Sequence, residues 1–210
     1  SAQTMMDALA DNFTDYPRER KLMLDAPKYG ADNSEADEML VKLTDFFNQT
    51  TAEQAERVGL KSYLPVYINN AQNTTLAKWV GALPNGRKDG CAYANANNPE
   101  SVVDTKGLTP MINSLLKPSH TDHAGMVQNF RFTKELLQSS KDKVIAAMKS
   151  YFDRGGSQAM ITVVGKDDLK KAMETPEEYG DLIVRVGGFS AKFVTLEKDV
   201  QKEIYERASF

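Results

Sequence analysis

The chain has 210 residues, 41% of them hydrophobic and 26% charged, the balance of a soluble globular protein with enough apolar material for a real core. Its 26 Lys and Arg against 29 Asp and Glu leave a net charge of -3, which offers nucleic acid or an anionic membrane no basic footprint. One cysteine excludes an internal disulfide and any multi-cysteine zinc or iron–sulfur site, and no apolar run approaches the ~20 residues of a membrane helix. With no basic start or continuous apolar stretch in SAQTMMDALADNF, the expected location is the cytoplasm.

Helical spacing of Met5, Leu9, Phe13 and Leu22 predicts helix over Thr4–Leu24 with a break near Pro17. Tyr29 to Asn33 is turn chemistry, and Ser34 with Asp37 is a weak capping box for a second helix. The apolar side of that helix carries Met39, Leu40, Leu43, Phe46 and Phe47. Tyr63–Ile68 (YLPVYI) is expected to be a short buried strand, followed by a polar run holding Asn69, Asn70 and Gln72. Gly81 to about Thr109 is a long Gly, Pro, Asn and Asp-rich connection, of a length that is usually functional or disordered. Helix returns at Thr133–Phe152. The remaining elements are strands at Gln158–Val164 and Asp181–Val186, a short helix at Lys166–Met173, and a closing amphipathic helix on Leu196, Val200 and Ile204. Strands alternating with helices predict an α/β fold.

Several residues invite a chemical role and most have a plainer one. His120 and His123 are three apart, but nothing nearby completes the three protein ligands of a catalytic zinc, so no metal site is expected. Cys91, in Gly90-Cys91-Ala92, lacks a local Cys-His pattern and is expected to be a small buried hydrophobe rather than a nucleophile. Asn69, Asn70, Gln72 and the Asn95–Asn98 run could face a pocket or cap loop backbone. Gly187-Gly188 is the exception. A run of β-formers delivers two glycines, then Phe189, Ser190, Ala191 and Phe193; by pattern alone it is a tight turn that needs φ > 0.

Arg185-Val186-Gly187-Gly188-Phe189-Ser190-Ala191 with Phe193 resembles the radical-bearing loop of the glycyl radical enzymes, whose pattern is Arg-Val-x-Gly-(Tyr or Phe). Flanking segments are similar too: Gly155-Gly156-Ser157-Gln158 through Val164, Pro176-Glu177-Glu178-Tyr179, Asp181–Val184, and Gln201-Lys202-Glu203-Ile204 through Arg207. Upstream, Ala26–Gly30 and Leu83–Arg87 also resemble family segments. Within this pyruvate formate-lyase-like family the chain is most similar to the dehydratase, decarboxylase and C–N or C–S lyase branch.

The resemblance implies a C-terminal portion of a ten-stranded α/β barrel over residues 1–150 and a glycyl radical domain over 151–210. It implies that Gly188 carries the radical, with Arg185, Val186, Phe189, Ser190 and Phe193 supporting the loop. An α-carbon radical is stabilised when planar and conjugated with the flanking amide and carbonyl; a side chain there would crowd it, and hydrogen does not. No bound cofactor or metal is implied. The partners implied are a radical S-adenosylmethionine activating enzyme, a small-molecule substrate, and a cysteine-bearing large subunit or N-terminal half, because the family's thiyl cysteine motif is missing here and Cys91 is not in its place. A part of a barrel leaves open strand edges, so the isolated chain is expected to be poorly soluble or obligately complexed. The alternative is a spare-part repair module that replaces an oxygen-cleaved radical domain; residues 1–130, which look like barrel material, weigh against it. An inert structural homologue is the third reading.

Overall fold

The computed structural model describes residues 1–207 and 209–210. The first third is helical: α1 (Ala2–Ala10), α2 (Pro17–Asp25) and α3 (Ser34–Arg57). Pro17 opens α2, where its missing N–H costs nothing. The cap of α3 is one residue earlier than expected: Asn33 Oδ1 accepts from the Ala36 amide at 3.1 Å. Asp37 takes no part in it. Its carboxylate turns inward to accept from Ser114 Oγ at 3.0 Å, and burial pushes its pKa up.

The strands form three separate pairs among the described residues. β1 (Val66–Tyr67) runs parallel to β2 (Gly125–Met126), and β3 (Asn129–Phe132) runs parallel to β4 (Met160–Val163) with Asn129 opposite Met160. β5 (Ile183–Arg185) and β6 (Ser190–Lys192) make an antiparallel hairpin with Arg185 opposite Ser190. Between them lie α4 (Gln72–Thr75), α5 (Leu108–Leu115), α6 (Lys134–Asp153), α7 (Lys166–Glu174) and α8 (Lys198–Glu206). The α/β character agrees with the sequence. The expected buried strand over 63–68 does not: only Val66–Tyr67 is strand, and Tyr63, Leu64, Val66 and Ile68 are exposed.

β2, β3, β6 and the helices α4 and α5 are elements that the hydropathy pattern misses. In β3 all four residues are buried, and the pattern is hidden by Arg131. This arginine is inside because its guanidinium caps the last turn of α8, donating to the carbonyls of Ile204 (2.6 Å), Tyr205 (3.3 Å) and Arg207. Burial, with the Arg207 charge beside it, lowers its pKa to about 10.

Two apolar clusters result. One joins α5, β3 and α6 through Met111, Leu115, Phe130, Phe132, Val144 and Tyr151. The other joins α7, the hairpin and α8 through Leu169, Val184, Val186, Phe193, Val200 and Ile204. The long connection after Gly81 is ordered rather than free. Buried Arg87 (1% exposed) gathers the carbonyls of Ala77, Gly81 and Cys91 and lies 4.4 Å from the Tyr93 ring centroid. Asn97 and Asn98 staple the same segment: Asn97 Oδ1 accepts from Tyr29 Oη at 2.8 Å, and Asn98 exchanges hydrogen bonds with Asn129.

Candidate functional site

The hairpin β5–β6 turns on two residues, Gly187 and Gly188, closed by the Val186 amide donating to the Phe189 carbonyl at 3.0 Å. The two glycines are required for different reasons. A Cβ on Gly187 would sit 2.0 Å from the Asn69 carbonyl oxygen, so this residue marks where the tip presses on the backbone after β1. Gly188 has room, since within 4 Å its Cβ would meet only Ile68 Cδ1 at 3.5 Å and Asn70 Oδ1 at 3.8 Å. What Gly188 needs is backbone freedom: its φ is +101°, a region that side chains disfavour. It is exposed on this chain, while Gly187 is buried.

The tip is held from four sides. From β4, Met160 Sδ accepts the Gly188 amide at 3.3 Å and Thr162 Oγ1 accepts the Arg185 amide at 3.2 Å. Residues 160 and 162 share one face of the strand, so this edge of β5 meets side chains in place of a backbone ladder. From the C-cap of α8, Arg207 donates to the carbonyls of Arg185 (2.9 Å) and Val186 (3.0 Å). Below, Val186 and Phe193 are in the core. Above, the tip meets Ile68–Asn70.

The other loop residues are distributed unevenly. Phe193 is fully buried beneath the hairpin, and Gln201 Nε2 donates to its carbonyl at 3.1 Å. Phe189 is 45% exposed on this chain. Arg185 reaches across the pair to donate to Ser190 Oγ at 2.9 Å. Met160, Thr162 and the clamp role of Arg207 escape a motif reading; the i, i+2 spacing of 160 and 162 on a strand beside the loop is the signal that could have found the first two.

Cys91 lines a cleft against α8 with Thr74, Asp199 and Lys202, and does not approach Gly188. His120 is hydrogen-bonded to Leu115 O at 3.1 Å and to Ser157 Oγ at 3.3 Å. His123 packs edge-on to Tyr67, its pKa lowered by burial and then by the neighbouring His120. Among the described residues no three His, Cys, Asp or Glu side chains gather into a metal site, and no helix is long and apolar enough to cross a membrane.

This hairpin and its setting match known proteins over almost the whole chain. A family model described as Glycine radical matches residues 93–194, and one described as Pyruvate formate lyase-like matches residues 1–73. The chain belongs to the glycyl radical enzyme family. Trans-4-hydroxy-L-proline dehydratase of Clostridioides difficile is 31% identical over 97% of this chain and 26% of its own length. Isethionate sulfite-lyase of Bilophila wadsworthia strain 3_1_6 is 29% identical over 97% of this chain and 25% of its own. Among solved structures, substrate-bound hydroxyproline dehydratase from C. difficile superposes with a TM-score of 0.91 at 29% identity, covering 99% of this chain and 26% of that one. The glycerol-bound B12-independent glycerol dehydratase from Clostridium butyricum gives 0.89 at 28% identity, covering 99% and 27%. The chain thus spans about a quarter of the length of these relatives.

Proposed function

We propose that this chain is the radical-bearing part of a glycyl radical lyase, with Gly188 as the resting site of the unpaired electron. The observation that carries this reading is the Arg-Val-Gly-Gly-Phe hairpin itself, where the family's radical position falls on a residue with φ +101° and no side chain at the α-carbon. An activating enzyme of the radical S-adenosylmethionine class removes one hydrogen atom from the Gly188 α-carbon. In turnover that carbon takes a hydrogen atom from a cysteine thiol, restoring an ordinary glycine and leaving the unpaired electron on sulfur, which then attacks substrate.

The cysteine comes from a partner polypeptide or from the N-terminal part of a longer chain. Two features support a large missing neighbour. The relatives are about four times as long, and the apolar faces of α3 and of the segment around β1 stand open. On this reading residues 1–150 are the C-terminal portion of a ten-stranded barrel and 151–210 the radical domain. The match of residues 1–73 to the lyase-like model favours it over a spare part confined to the radical domain. The reaction is dehydration, decarboxylation or C–N or C–S cleavage of a small molecule, the range to which the names of the relatives belong.

The test is electron paramagnetic resonance of the chain assembled anaerobically with the cysteine-bearing part, the activating enzyme and reductant. A glycyl doublet that Gly188→Ala abolishes is the expected result. No doublet in the full assembly, or one that survives Gly188→Ala, overturns the reading. Air exposure of the primed protein should release residues 189–210 as one peptide, seen by intact mass.

A further inference from the structure

The hairpin is tied together and tied down by different forces. Internally it has the β5–β6 ladder; outwardly its polar ties are side chains, because β4 and β5 share no ladder. The ties from β4 are a thioether and a hydroxyl, both modest acceptors. The tie from α8 is a charged one. Arg207 gives the Arg185 and Val186 carbonyls one donor each, and its other face makes a two-pronged pair with Glu203, Nε to Oε1 at 2.9 Å and Nη2 to Oε2 at 2.7 Å. Both side chains are largely buried, at 11% and 8% exposure. A guanidinium so enclosed is oriented rather than floating, and charge-assisted hydrogen bonds are roughly twice as strong as neutral ones. Arg131 fixes the level of the clamp by capping the end of α8, including the carbonyl of Arg207 itself.

We propose that Arg207, oriented by Glu203, is a positioning residue that latches the two carbonyls before the radical glycine, and that installing the radical requires this latch to open. The proposal rests on the assignment of Gly188 above, since the latch matters for activation only if the tip must leave its seat. Its geometry, however, is independent of any radical.

The test uses the chain in complex with its cysteine-bearing part, with hydrogen exchange of Val186–Ser190 and of Phe130–Phe132 followed together. In Arg207→Gln, exchange at the tip should rise about tenfold while β3 is unchanged. Radical installation by the activating enzyme should be faster, and Arg207→Lys should restore part of the protection. Unchanged exchange at the tip overturns the latch, as does faster exchange with unchanged installation. If Arg207→Gln loosens β3 as well, Glu203→Gln is decisive, because it keeps the guanidinium and removes the carboxylate that orients it; a selective rise at the tip supports the latch and any other result overturns it. Absence of a glycyl signal in every protein, with selective exchange at the tip, strikes the assignment of Gly188 and leaves the mechanical latch standing.

Discussion

α3 and α8 are both amphipathic helices, and only one of them has a cover. In α8, Val200 and Ile204 are sealed against the hairpin and α7. In α3, Met39, Leu43, Phe46 and Phe47 form an equally regular stripe, yet Phe46 is 68% exposed and Phe47 51%. Periodicity therefore reports that a helix has a face to bury, and says nothing about whether its cover lies in the same chain. The apolar side of α8 is closed by elements of this chain, whereas the α3 stripe is left as an exposed apolar surface.

The sharpest way to break this comparison lies at the hairpin. Gly188→Ala should remove the radical and turnover completely, measured by paramagnetic resonance and product formation. Yet it should cost only about 1 kcal/mol of folding stability, because the added methyl has space and only the positive φ is strained. Ile204→Ala in α8 should cost about 2–5 kcal/mol in denaturant melts, the price of a cavity in a closed core. Gly187→Ala should follow at about 1–3 kcal/mol, more than Gly188→Ala, because the clash with the Asn69 carbonyl must move backbone. Equal melting losses at the two glycines would show that the tip does not press on the segment after β1. The smallest effect belongs to α3. Phe46→Ala should change the stability of the chain alone by no more than about 0.5 kcal/mol, while weakening its association with the cysteine-bearing part in a titration. A large loss on the chain alone would mean that α3 has a cover after all.

Apart from α4 and α5, which no sequence signal marked, the helices and the glycine turn were legible for a simple reason: both are governed by neighbours close in the chain. α6, α7 and α8 lie within a residue or two of where hydropathy places them. β3 is hidden because its Arg131 answers to carbonyls over seventy residues away, and local polarity argues for the surface. The Ser34 cap is off by one because Asn33 competes for it and Asp37 is drawn to Ser114. At the candidate site the glycine pair could be read directly. The acceptors on β4 could not, since nothing in Met160-Ile161-Thr162 shows which hairpin will lie beside it.

One of those acceptors has a mechanical consequence. The amide of Gly188 rests on sulfur, and a thioether grips an N–H more loosely than a carbonyl or carboxylate would. Lifting the glycine off its bed therefore forfeits little polar contact at the tip itself, and the firm restraint is kept a few residues back. A catch built this way opens from its hinge side, leaving the working end nearly unencumbered.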